Sequence, residues 1–195
     1  LVTTSGENFG FKNLSSVTTD DFKAARSAIN YLIQKGHRRI SIIGGKYGVS
    51  NTSEIRLRGA VEELNIHGIT FDESLQYETA RYSLDGAYKA AQRLLDKNPK
   101  TTGIFAMSDV MAMGAMRAIA DRGLKIPEDI SIIGFDGIDL ADYYNPKLTT
   151  ICQLQDELAK SSVEILLRQI EKKDKPLHKV LSFNLKVGES VKDIR

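Results

Sequence analysis

The chain has 195 residues, with 27 Lys+Arg against 25 Asp+Glu for a formal net charge of +2, and its 42% hydrophobic and 7% aromatic content exclude disordered, collagen-like and low-complexity classes. A single cysteine, Cys152, rules out an internal disulfide, and three histidines scattered at 37, 67 and 178 give no metal-ligand spacing, so neither a metal nor another cofactor is expected. Charges of both signs are interspersed, which argues against a nucleic-acid groove in this chain. No apolar run approaches the ~18 residues of a membrane span, and Leu1 to Gly6 lacks the basic and apolar regions of a signal peptide. A soluble chain with no membrane partner follows as the expectation.

Asp20 and Asp21 open a stretch with apolar residues at Phe22, Ala25, Ile29, Leu32 and Ile33, a helical spacing that ends at Gly36. Ile40 to Ile43 is a short buried strand closed by Gly44 and Gly45. Leu57, Ala60, Val61 and Leu64 share one face of a second helix that breaks before Gly68. Leu75 to Tyr77 is a weaker strand candidate. Ser83 is placed to cap a helix carrying Ala87, Ala90, Ala91, Leu94 and Leu95, stopped by Asn98 and Pro99. Gly103 to Met107 is again a strand, Ser108 is placed to cap a helix over Val110 to Arg122, and Ile130 to Gly134 is the next strand.

This alternation over Asp20 to Phe135 predicts an α/β fold with a parallel sheet and helices on both faces. Beyond it, Leu148 to Cys152 reads as an extended crossing segment, Gln155 to Lys172 as a long amphipathic helix, and Val180 to Val187 as a final strand. The helix's apolar face is expected to comprise Leu158, Ser162, Val163, Leu166, Leu167 and Ile170.

Ligands of open parallel sheets bind outside the carboxyl ends of the strands, where loops splay and helix N-termini direct N–H groups into the crevice. That rule collects Ser50, Asn51, Thr52, Arg56, Tyr82, Ser108, Asp109 and Asp136, a hydrogen-bonding set with one aromatic face that suits a small polyhydroxylated ligand. Ser108 and Thr52 fit helix caps equally well, Asp109 fits a helix-dipole partner, Arg56 a surface ion pair, and Asp136 a turn-former. Gly44 to Gly48 lacks the spacing of a phosphate-binding loop, and no nucleophile stands beside a base, so an enzyme is not expected. The pairs Asp20-Asp21 and Glu62-Glu63 fit solvated or first-turn charge. His37, at the amino end of the sheet, fits a structural role. Met107, Met111, Met113 and Met116 fit core packing, while Met113 with Tyr143 and Tyr144 also fits a subunit contact.

Five motifs occur in a fixed order: Tyr31-Leu-Ile-Gln-Lys-Gly-His-Arg-Arg-Ile40, Arg56-Leu-Arg-Gly59, Met107-Ser-Asp-Val-Met-Ala-Met-Gly-Ala-Met116, Pro127-Glu-Asp-Ile-Ser-Ile-Ile-Gly-Phe-Asp136 and Asn145-Pro-Lys-Leu-Thr-Thr150. Together they resemble the effector-binding region of the lactose-repressor/galactose-repressor family of bacterial transcription regulators, from about Val17 onward. The resemblance implies a periplasmic-binding-protein-like type I sensor with one complete lobe and part of another. Its segments would be 1–17 as the end of the first lobe, 18–149 as the second lobe, 150–179 as the return into the first, and 180–195 as the final strand and tail.

It further implies a cytoplasmic homodimer that binds a sugar or related effector between lobes and reaches operator DNA only through a helix-turn-helix outside this chain. Arg56 and Asp136 would hold ligand hydroxyls, Tyr82 would stack on the ligand, Ser108 would stand where many relatives have Asn, and Ser50, Thr52 and Thr19 would line the cleft. Met113, Tyr143 and Tyr144 would face the partner subunit. Leu1 to Ser5 would be the last strand of the first lobe, with an acidic position at Glu7. The Arg usual before the final Glu-Ser is Gly188 here. An extracytoplasmic sugar-binding protein of a transporter shares the fold and is the alternative: a signal peptide upstream would favour it, a helix-turn-helix the regulator.

Overall fold

The computed structural model describes residues 1–4, 14–172 and 175–195; the expectation for Glu7 lies outside these. Its elements are β1 (Val2–Thr4), β2 (Ser15–Thr19), α1 (Asp21–Gln34), β3 (Ile40–Gly44), α2 (Asn51–Ile66), α3 (Glu73–Gln76), β4 (Tyr77–Thr79), α4 (Leu84–Lys97), β5 (Gly103–Ala106), α5 (Asp109–Asp121), β6 (Ser131–Asp136), α6 (Leu140–Tyr143), β7 (Thr149–Gln153), α7 (Gln155–Lys172), β8 (His178–Leu181) and β9 (Phe183–Lys186).

The helices begin where side-chain acceptors meet otherwise orphaned N–H groups. Asp20 accepts from Lys23 N, Ser50 from Ser53 N, Ser83 from Gly86 N and Ser108 from Met111 N. The central strands are buried along their whole length, as strands covered on both faces must be. They assemble a six-stranded sheet in the order β4-β3-β5-β6-β7-β9, parallel except for β9, and a separate parallel sheet β1-β2-β8. From β3 the chain goes first to β4 on one side and then to β5 on the other, so right-handed crossovers place α2 on one face and α4 and α5 on the opposite face. The order reverses between β3 and β5, which opens a crevice at their carboxyl ends.

Three passages join the two sheets: after Thr19, after Gln153 and across Ser182. The expected single strand Val180 to Val187 is two strands that pair in different sheets. Its period-2 pattern runs unbroken through Leu181, Phe183 and Leu185, so only the hydrogen-bond partner changes, from β2 to β7. The weak strand at Leu75 to Tyr77 instead begins as the short α3, capped by Asp72, with the strand starting at Tyr77.

The α7 face also differs from expectation. Leu158, Ser161 and Ile165 are buried, with Leu158 and Ile165 packed against Val17 and Leu181, whereas Val163, Leu166, Leu167 and Ile170 are exposed. Apolar residues cover more of the helix than one stripe, and only the stripe over the three-stranded sheet finds a partner. At the opposite end of the large sheet His37 is buried, its ring bridging Thr102 Oγ1 at 3.1 Å and the Lys192 carbonyl at 3.2 Å, and burial pushes its pKa down.

The helix pairs α1/α2 and α4/α5 each cross at a glycine. A Cβ on Gly59 would lie 2.3 Å from the Phe22 carbonyl oxygen, and one on Gly114 would lie 2.3 Å from the Leu84 carbonyl oxygen. Backbone cannot yield there as a side chain would. Gly59→Ala and Gly114→Ala are each expected to destabilise the fold by about 1–3 kcal/mol, the cost of overpacking, which urea denaturation measures.

Candidate functional site

Arg56 projects from the second turn of α2 across the crevice and is 4% exposed. Its Nε donates to Asp21 Oδ1 at 2.7 Å and its Nη1 to the Met107 carbonyl at 2.6 Å, while the guanidinium lies 3.5 Å from the centroid of the buried Phe135 ring. It is therefore a buried cation, not a surface ion pair. Asp21, expected as a solvated first-turn charge, is its counter-ion. Glu63 of the other acidic pair is likewise buried, accepting from Arg26 Nε at 2.7 Å with His67 Nε2 at 3.3 Å.

Asp136 ends β6 with φ +116, a conformation L side chains rarely adopt, and such strain costs on the order of 1–3 kcal/mol. Its Oδ1 lies 4.0 Å from Arg56 Nη1 and accepts from Gln153 Nε2 at 2.8 Å. Burial raises its pKa, against the opposing pull of Arg56 and Gln153. The other end of the Gln153 amide, Oε1, accepts from Thr19 Oγ1 at 2.8 Å. One amide thus joins the end of β2 in the small sheet to the end of β6 in the large one. Beside it Asp20 N donates to the Leu181 carbonyl, so hydrogen bonds tie all three passages between the sheets together.

Asp109, the first residue of α5, is fully buried and is more than a dipole partner. Its Oδ2 accepts from the backbone N–H groups of Gly137 at 2.7 Å and Ile138 at 2.9 Å, and its Oδ1 from Thr150 Oγ1 at 2.5 Å. Burial pushes its pKa up to about 6, opposed by those donors and reinforced by the Asp136 charge.

The remaining expected positions group around the start of α2. Ser50 is the cap there, and Thr52 lies within the first turn, so the capping alternative falls to Ser50. Tyr82, at φ 49 and 37% exposed, hydrogen-bonds through its hydroxyl to Ser53 Oγ, which also accepts from Gly45 N at 2.9 Å. Ser108 caps α5 and is 3% exposed, one residue from the carbonyl that receives Arg56. The structure therefore joins Arg56, Asp136 and Thr19 in one network and sets Tyr82, Ser50 and Thr52 about the Gly45 end of β3. An open cavity of about 950 Å³ over Phe22, Leu57, Val61 and Phe71, on the outer side of α1 and α2, lies apart from this network.

Sequence reasoning missed Gln153, Asp21 and Ser53. The rule that collected the other strand ends would have collected Gln153 had β7 been treated as a member of the sheet and not as a crossing segment. Met113 differs from the expectation of an exposed subunit contact: at 1% exposure it belongs to the core with the other three methionines. Tyr144 lies over it, its hydroxyl 3.5 Å from the Met113 carbonyl, and Tyr143 is 84% exposed. Gly188 stands where a Cβ would be 2.5 Å from the Lys147 carbonyl, which leaves no room for the Arg usual at that position.

A family model for the periplasmic binding protein-like domain matches residues 29–191. The chain is 37% identical over 181 residues to the HTH-type transcriptional regulator MalR of Clostridium butyricum, covering 90% of this chain and 52% of that one. It is 41% identical over 159 residues to the HTH-type transcriptional repressor CytR of Escherichia coli K12, covering 81% and 46% respectively. The chain thus spans about half the length of these curated relatives. Its fold superposes with a TM-score of 0.87 on the crystal structure of a LacI family transcriptional regulator from Enterococcus faecium with bound ribose, at 32% identity over 97% of this chain and 69% of that one.

Removing the Arg56 cation while keeping its bulk would break a buried ion pair and strip a buried carbonyl of its donor. Arg56→Met is expected to lower stability by about 3–5 kcal/mol, read as a shift in the urea midpoint at constant slope.

Proposed function

Because the chain belongs to the LacI family of transcriptional regulators and carries its periplasmic binding protein-like domain, we propose that it is the effector-sensing part of such a regulator, with a sugar held where the two sheets meet. The observation that carries this reading is the single network in which Asp136 and Arg56 of the large sheet and Thr19 of the small one converge on Gln153. An ionised carboxylate only accepts hydrogen bonds, so Asp136 selects hydroxyl donors; the guanidinium only donates, so Arg56 complements it at ring or hydroxyl oxygens. Tyr82 supplies a partly exposed aromatic face for the apolar side of a sugar ring. Ser50, Thr52 and Ser108 border the same crevice, the last with its acceptor lone pair engaged by the cap.

In this reading the lobes are the two sheets with their helices, and ligand binding alters how they are held relative to each other. That difference is passed to a helix-turn-helix carried elsewhere in the regulator, which binds operator DNA in the cytoplasm. In this reading the work is binding, in keeping with relatives that are named as transcription regulators. The relatives are named as transcription regulators, which favours the sensor over a sugar-binding protein of a transporter, and among the described residues no helix is long and apolar enough to cross a membrane. Dimerisation through the α6 surface belongs to the same proposal, with Tyr143 exposed and Tyr144 at its base.

Asp136→Asn removes the acceptor charge at constant shape. It is expected to weaken binding roughly tenfold to a hundredfold with little change in unfolding midpoint, measured by calorimetry against D-ribose and a panel of neutral sugars. Equal affinity in Asp136→Asn and parent, or a best ligand without hydroxyl groups, rules this role out. For assembly, Tyr143→Asp is expected to convert a dimer to a monomer at micromolar concentration by light scattering, because a charge buried in an interface is left unpaired.

A further inference from the structure

The conformation that presents Asp136 needs its own explanation. Asp136 at φ +116 and Gly137 at φ +74 are consecutive residues with positive φ, and a non-glycine residue remains in that region only where its surroundings over-determine it. What over-determines it here is Asp109. The two inverted residues turn the N–H groups of Gly137 and Ile138 back toward α5, where one oxygen of the Asp109 carboxylate takes both. The other oxygen is held by Thr150 Oγ1 from β7.

Space has been cleared for this carboxylate. A Cβ on Gly134 would stand 2.3 Å from Asp109 Oδ1, and Gly134 pairs with Thr150 across the sheet. A first-turn acid serving only the helix dipole needs neither burial nor three donors from another strand and a turn.

We propose that Asp109 is the positioning residue of the site: without touching ligand, it fixes the β6–α6 turn in the one conformation that aims the Asp136 carboxylate at the crevice. This rests on the reading of Asp136 as a ligand acceptor. Asn at 109 has nearly the same shape but loses the charge that makes both N–H contacts strong. The groups facing Asp109 are Asp136 on β6, Thr150 on β7 and, more distantly, Cys152 on β7.

Nuclear magnetic resonance of the labelled protein tests the turn without any ligand. The Gly137 and Ile138 amide protons should titrate together with a midpoint near the value of about 6 set by the buried carboxylate. The titration should persist in Asp136→Asn, vanish in Asp109→Asn, and move to higher pH in Thr150→Val, which removes a donor and keeps the carboxylate. The HN–Hα coupling of residue 136 should change in Asp109→Asn, and D-ribose affinity should fall roughly threefold to thirtyfold while unfolding stays cooperative.

An Asp109→Asn protein that keeps the parental coupling at residue 136 overturns the proposal, as does one with altered coupling and parental ribose affinity. A parent protein that binds neither ribose nor another sugar overturns the functional reading instead, and the coupling and amide titration still decide the role of Asp109 in the turn.

Discussion

Taking the Arg56 guanidinium out of water is the constraint around which the rest of the site is arranged. The desolvation cost of a buried cation is several kcal/mol, and attraction to one carboxylate offsets it only when the remaining donors also find acceptors. Asp21 at the start of α1, the carbonyl at the end of β5 and the ring of Phe135 in β6 meet that requirement from three elements at once. Any shift of α1 against α2, or of β5 against β6, would unmake one of these contacts. The polar geometry of the crevice is therefore fixed by a stability requirement before any ligand arrives.

The three passages between the sheets set a second constraint. Thr19, Gln153 and Leu181 stand side by side, joined by Thr19 Oγ1 to the Gln153 amide and Asp20 N to the Leu181 carbonyl. Rotation of one sheet against the other has to be absorbed by the residues that follow them, since packed helices and strands transmit motion and do not bend. The Gln153 side chain spans that boundary and ends on Asp136. In the proposed reading, a ligand that competes for Asp136 would compete with a contact between the sheets, which would link occupancy of the crevice to the relative placement of the sheets.

What the sequence made legible is what depends on local chemistry. Ser83 and Ser108 announce their helices because a hydroxyl facing an orphan N–H works the same way in any fold, and the buried strands announce themselves because their runs are mostly apolar and carry no charge before the strand end. Arg56 and Asp136 were collected by the rule for strand ends, and the structure sets them 4.0 Å apart. The failures are all matters of what lies opposite. Asp21 and Glu63 look like solvated acids until α1 is packed on α2 and each meets an arginine. The α7 face cannot be chosen from apolar spacing that covers much of the helix, and Met113 looks like an exposed residue until α5 is packed into the core. Gln153 was lost to a single misassigned strand, and the unbroken alternation across Ser182 hid the exchange of one sheet for another.

The charges about the crevice also bear on what kind of molecule fits there. Arg56 is compensated by Asp21 at contact distance and by Asp136 at 4.0 Å, so the cation is already more than matched by neighbouring carboxylates. An anionic ligand would have to approach Asp136 with no unspent positive charge to receive it, and repulsion at such separations in a partly dry crevice is worth several kcal/mol. A cationic ligand would find Asp136 but would have to lie against the guanidinium as well. A neutral molecule bearing hydroxyl groups meets neither penalty. It donates to the carboxylate, accepts from the guanidinium, and leaves the existing charge balance intact, which supports the assignment of a sugar to this site from its electrostatics as well as from its hydrogen-bonding groups.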